Sequence, residues 1–139
     1  MNWEKDMIVA IHQPNFLPWA GYFYKIAKSD IFVLLDNVQY SKNGFINRNK
    51  IKMPSGSDSW LTIPVKSSGL SELIKDVKIS HNIDWRRKHL QTLEMSYKRA
   101  EFFNQLYEDI KNIYYETDWH NLCSLNISLL KHILTFGAS

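Results

Sequence analysis

Apolar and polar positions along the chain divide it into a strand-rich first half and a helix-rich second half. Met7–Ile11 is a continuous apolar run with β-branched residues, and it predicts a buried parallel strand. Pro14 and Pro18 break regular structure, so Gln13 to Pro18 is expected to be a loop. Gly21 to Lys28 predicts a short helix with Tyr22, Phe23, Ile26 and Ala27 on one face. Ile31–Val38 predicts a second buried strand, interrupted by Asp36, and the polar segment from Gln39 to Lys50, which contains Gly44, a long loop. Trp60–Val65 predicts a third strand, with Pro64 marking an edge or a strand end. A Ser/Gly-rich loop follows from Lys66 to Leu73, and the alternating Lys75–Ser80 predicts a half-exposed fourth strand.

Beyond this point the period changes to that of helices. Asp84 is a plausible N-cap for a helix from Trp85 to about Lys98. Phe102, Phe103, Leu106, Ile110 and Ile113 form a second stripe. Asp118 is the expected cap of a third helix carrying Leu122, Leu125, Leu129 and Ile133 on one face, with Gly137 as its stop. The expected fold is α/β: a Rossmann-like βαβ start with a small, mostly parallel sheet, followed by a helical C-terminal part. A single domain over residues 1–139 is expected, with its α/β part at about 7–80 and its helical part at about 84–136.

Composition narrows the functional classes. With 45% hydrophobic and 14% aromatic residues, 139 residues can build a core. A net charge of +3 suits a small anionic ligand better than DNA or RNA, so a nucleic-acid partner is not expected. The single cysteine, Cys123, excludes an intrachain disulfide and a thiolate zinc cluster and fits a reducing, cytoplasmic setting. Glu4, Lys5 and Asp6 followed by five apolar residues do not form a signal peptide. No run approaches the ~18–20 apolar residues of a membrane span.

Four groups of residues could carry chemistry. His12-Gln13-Pro14-Asn15 follows the first strand directly, and open parallel sheets bind ligands beyond their strand C-termini. There His12 could serve as acid, base or phosphate donor; equally, it could make a structural hydrogen bond, with Asn15 capping the turn. Asp36 interrupts an apolar strand ahead of Gln39 and Tyr40, and if buried it needs a partner: a metal, a hydroxyl, or Arg48 or Lys50; equally, it could be simply exposed at the strand end. Asn47-Arg48-Asn49-Lys50, near Lys42, Asn43 and Phe45, could hold a phosphate or simply form a solvated basic loop. His89 lies on one stripe with Trp85, Leu93 and Tyr97, and Asn126 sits between Leu122 and Leu129. Both polar side chains are therefore expected to be buried and paired, or to touch ligand. The dinucleotide, P-loop, nucleophile-elbow, HExxH and CxxC signatures are absent from the sequence, so no cofactor and no metal ligands are assigned.

The run Ile11-His12-Gln13-Pro14-Asn15-Phe16-Leu17-Pro18-Trp19 with Gly21-Tyr22-Phe23 resembles the opening of WbqC-like proteins. The resemblance continues through Lys25–Asp30, Leu35-Asp36, Val38–Lys42, Asn47–Lys52 and Trp60–Val65, and then Trp85, Lys88–Leu90, Tyr97, Phe103 and Leu125-Asn126. It implies a place in bacterial surface-polysaccharide (O-antigen) biosynthesis, in the modification of a sugar or sugar nucleotide, and the polar density directly after the first two strands points within it to a transferase-type enzyme acting on a nucleotide-activated or amino-sugar substrate. In that reading His12 and Asp36 are catalytic, and Gln13, Asn15, Gln39, Tyr40, Asn47, Arg48, Lys50 and His89 bind substrate. The alternative is a non-catalytic binding or assembly module of the same pathway. Proteins of this family are usually longer, with a further α/β segment that would begin where this sequence ends. An order of strand, His-containing loop, helix and strand is also similar to that of nucleotidyltransferase-like Rossmann folds, an analogy of fold alone. Tyr107, Tyr114, Tyr115 and Trp119 could supply a surface for self-association.

Overall fold

The computed structural model describes residues 6–18, 20–66, 72–97 and 103–138. Its first unit is a βαβ: β1 (Val9–His12), helix α1 (Ala20–Lys28) and β2 (Ile31–Leu34), with the strands paired in parallel from Val9↔Ile31 to His12↔Leu34. Next, β3 (Arg48–Lys52) and β4 (Asp58–Thr62) form an antiparallel hairpin. Its turn is closed by Met53 N–H to Ser57 O at 2.8 Å and Gly56 N–H to Met53 O at 2.9 Å. Gly56 adopts φ +87°, a conformation that disfavours any residue with a Cβ. A third ladder joins β5 (Val65–Lys66) to β6 (Lys78–Ile79), with a single 3-10 turn at Ile74–Asp76 ahead of β6. Three helices complete the chain: α2 (Trp85–Tyr97), α3 (Phe103–Glu116) and α4 (Leu122–Ala138).

The mixed α/β character and the helical C-terminal part agree with the sequence reading, but the sheet differs. Among the described residues there are three separate two-stranded ladders, of which one is parallel, where one mostly parallel sheet was expected. The segment at 75–80 is divided between the 3-10 turn and the two-residue β6, and the strand expected at 60–65 is divided at Pro64, which has no N–H to give a ladder. Arg48, Asn49 and Lys50, expected in a loop, lie on β3. The first two strands are also less buried than a continuous apolar run suggests. Val9, Ile11, Ile31 and Val33 are all exposed, while Ala10, His12, Phe32 and Leu34 face inward. Tyr22 of α1 packs on His12 and Phe32, so α1 covers only the inner side, and alternation along the strand leaves the other side bare.

The core joins the loop after β1 to the segments from Ile46 onward. Phe16, Ile46, Leu61, Ile63, Ile74, Val77 and Ile79 pack with Trp85, Leu90, Ile110, Tyr114, Leu122, Leu125 and Leu129. Helix α4 starts one turn later than Asp118 suggests. Its cap is Asn121, whose Oδ1 accepts from Ser124 N–H at 2.9 Å and whose amide donates to Lys75 O at 2.7 Å. Asp118 is exposed and lies 4.0 Å from Arg86. Gly137 falls inside α4, not beyond its end. Asp84 does cap α2, accepting from Arg87 N–H at 3.4 Å. Among the described residues no helix is long and apolar enough to cross a membrane. Phe102 and Trp19 lie outside the described residues, as do the side chains of Tyr97 and Phe103.

Candidate functional site

β1 ends at His12, whose inward position sets the imidazole against two rings. It stacks on Phe32 with centroids 6.0 Å apart and planes 10° apart, and it meets Tyr22 at 5.3 Å. Tyr22 donates to Gln13 O at 2.7 Å, and burial pushes its hydroxyl up to about 12. One helical turn beyond Tyr22, Lys25 places Nζ 3.1 Å from His12 Nε2. An ammonium can only donate, so Nε2 is the acceptor in this contact and the ring hydrogen sits on Nδ1. A cleft of about 470 Å³ opens here, lined by His12, Gln13, Asn15, Leu35, Gly44 and Phe45. Its two walls are the loop after β1 and the segment leading into β3.

These walls are tied together by backbone groups and two asparagines. Phe16 N–H donates to Phe45 O at 2.9 Å. The fully buried Asn126 of α4 donates to Pro14 O at 2.9 Å and Ile46 O at 2.8 Å, one carbonyl from each wall. Asn49 of β3 donates to the carbonyls of Phe16 and Leu17. Leu17 stands at φ +41°, in the left-handed region, where a non-glycine residue is strained by about 1 kcal/mol or more. The Asn49 contact helps to hold that turn. Asn126 Oδ1 is buried without a hydrogen-bond partner among the described residues.

The other residues singled out from sequence divide into those near the cleft and those bound up elsewhere. Gln13 and Asn15 line it with His12. Asp36 does not; its carboxylate lies 3.9 Å from the Cys123 thiol, and its carbonyl accepts from Lys75 N–H at 2.9 Å. Burial, and then the Asp36 charge and hydrogen bond, push the Cys123 thiol up to about 11, so it is a poor nucleophile. Gln39 bridges to Leu73, and Tyr40 N–H donates to Glu72 O at 2.7 Å. The Tyr40 hydroxyl is held above its ordinary range by burial, against the opposing charge of Arg48. Asn47 is buried and donates to Ile63 O at 3.0 Å. Arg48 donates to Asn43 O at 2.7 Å and Gly44 O at 3.3 Å and lies over Trp60, 4.0 Å from the ring centre. Lys50 is exposed beside the same ring at 5.0 Å.

His89 is remote from the His12 cleft. Its Nε2 lies 2.8 Å from Thr62 O, which can only accept, so Nε2 carries the hydrogen and Nδ1 accepts from Tyr114 OH at 3.0 Å. Burial lowers its pKa to about 4, so the ring is neutral near pH 7. Lys25 was not singled out from sequence. The signal for it was its i+3 spacing from Tyr22, which puts both on the helix face that meets the strand end. Among the described residues no three His, Cys, Asp or Glu side chains gather in a way that could hold a metal ion.

The model of the family described as WbqC-like protein family matches residues 13–136, a range that takes in every expected site residue except His12. A protein of Mycobacterium tuberculosis (strain ATCC 25618 / H37Rv), named Uncharacterized protein Rv1507c, is 38% identical over 129 residues. That alignment covers 92% of this chain and 55% of the relative, so the chain spans about half the length of the curated relative it matches. No solved structure matches the chain.

Proposed function

Because this chain belongs to the WbqC-like protein family, we propose that the cleft at the end of β1 binds an anionic small molecule and supports group transfer on it. The substrate in this reading is a nucleotide-activated or amino sugar of bacterial surface-polysaccharide (O-antigen) assembly, handled in the cytoplasm. One observation carries the reading: Lys25 Nζ stands 3.1 Å from Nε2 of His12, a lining residue of an open cleft after a parallel strand. Lys25 supplies positive charge for a phosphate. Once it turns to the ligand, the Nε2 lone pair is free to take the proton of an acceptor hydroxyl or amine as that atom bonds to the transferred group and the phosphate departs. Gln13 and Asn15 offer hydrogen bonds for orientation, and Phe45 offers an apolar surface for a sugar ring.

The test is a thermal-shift screen of wild type, His12→Ala and Lys25→Met. The panel holds nucleotides, nucleotide sugars, amino sugars and acyl-CoA compounds, each with and without Mg²⁺. A nucleotide sugar is expected to raise the melting temperature of wild type and to lose that effect in Lys25→Met. The matching transfer assay should lose turnover in His12→Ala while its circular dichroism stays unchanged. Full turnover by a folded His12→Ala protein would remove the proposal. A second reading, a non-catalytic binding or assembly module, draws support from Asp36, which is turned to Cys123 and away from the cleft lining. It expects the same ligand-induced stabilisation with no turnover in wild type.

A further inference from the structure

A second cleft lies between β4 and the start of α2, with a volume of about 360 Å³. It shares no lining residue with the cleft at His12. Two indoles, Trp60 and Trp85, line it together with Ile83 and Pro64. Trp60 and Ile83 remain 39% and 50% exposed although they border a concave space. Apolar side chains left wet around a concavity are the usual form of a small-ligand site, and about 300–1,000 Å³ is the usual size. At the small end of that range there is room for a ring and its substituent but not for a whole sugar nucleotide.

Charge narrows the ligand further. Lys88 is the charged residue of the lining, and no carboxylate is among the lining residues. Arg48 and Lys50 lie over the Trp60 ring, 4.0 and 5.0 Å from its centre, and add positive potential at that wall. His89 contributes no charge near pH 7, because its Nε2–H is spent on Thr62 O and burial keeps the ring neutral. The polar side of the cleft therefore favours a negative group, and the half-exposed indole of Trp60 favours the flat face of a ring.

We propose that the cleft between β4 and α2 is a second binding site, for a planar aromatic ring bearing a single negative charge, with the ring against Trp60 and the anion at Lys88. The site shares no lining residue with the one at His12, although Phe45 of that cleft packs on Trp60 with ring centres 6.2 Å apart, and it stands whether or not the chain transfers sugars.

The probe is 2-naphthoate, with the neutral 2-naphthamide as its control, followed by the indole N–H signals in ¹⁵N-labelled protein. The Trp60 signal is assigned from Trp60→Phe. Saturable shifts are expected at Trp60 and Trp85, which line the cleft, but not at Trp119, which lies outside its lining. Lys88→Met, an exposed substitution, should weaken the acid by roughly tenfold and leave the amide unchanged. His12→Ala should bind 2-naphthoate as wild type does, which separates this site from the proposed transfer site. The proposal is overturned if the Trp60 and Trp85 signals do not shift at millimolar probe. It is also overturned if acid and amide bind equally, or if folded Lys88→Met binds the acid as well as wild type.

Discussion

At the scale of single residues, His89 is a polar group whose burial has a measurable cost in acid. Its folded pKa of about 4 lies below the ordinary 6.5, so between these values the unfolded chain binds more protons than the folded one. The stabilisation is complete above pH 6.5, is lost as pH falls toward 4, and changes no further below that. The shift corresponds to about 3 kcal/mol, on the order of 1.4 kcal/mol per unit. Urea titrations across this range should show that loss in wild type. In His89→Gln, which is less stable near pH 7, the same part of the pH slope should vanish; an unchanged slope would assign the loss to other groups. Asn126 makes the complementary case. Asn126→Leu removes the donor from two buried carbonyls, those of Pro14 and Ile46, and should cost about 2–4 kcal/mol in the same titration. Both residues were identifiable as polar members of apolar stripes. Which atoms they meet was not, because Thr62, Pro14 and Ile46 are brought to them by distant parts of the chain.

At the scale of elements, local signals located the helices well and their ends less well. α2 begins behind Asp84 as its capping chemistry indicates, and the apolar periods of α3 and α4 face the core. The start of α4 depended on competition between two capping residues, Asp118 and Asn121. Asn121 prevails because its side chain satisfies Ser124 N–H and Lys75 O together, while its backbone bridges to Lys78. Asn121→Ala should therefore lower stability by about 1 kcal/mol or more, and Asp118→Ala by almost nothing, in paired thermal melts. Equal losses would contradict the assignment. The polar segment at 47–50 shows the opposite problem. Its composition suggests a loop, yet pairing with Asn49↔Leu61 and Lys50↔Trp60 makes it a strand whose exposed basic face lies on Trp60.

At the scale of the whole molecule, the unusual feature is the bare outer side of the β1–β2 pair. Val9 stands opposite Ile31 and Ile11 opposite Val33, so four β-branched side chains form one exposed apolar surface, beside the exposed Met7 and Ile8. Parallel strands normally bury both faces, and two strands alone are marginal. Of the aromatic helix residues considered for self-association, Tyr114 is fully buried and Trp119 donates to Ile113 O at 2.7 Å, whereas Tyr115 is exposed. The double change Ile11→Thr with Val33→Thr keeps β-branching and should reduce both binding of an apolar dye and any concentration-dependent light scattering. No change in either measurement would mean that this face is not the source of apolar exposure.

The amino-acid sequence by itself determined the alternation of short strands and amphipathic helices, the cap of α2, the burial of His89 and Asn126, and the polar turn that follows β1. These follow from side-chain periodicity and from the backbone limits of proline, glycine and capping residues, which act over a few positions. Only the tertiary structure decided that Lys25 meets His12, that Asp36 turns to Cys123, that Asn126 ties Pro14 to Ile46, and that the strands form three small ladders. Those outcomes depend on contacts between segments far apart in the chain, where packing and the need to satisfy buried polar groups choose among partners that local patterns leave equivalent.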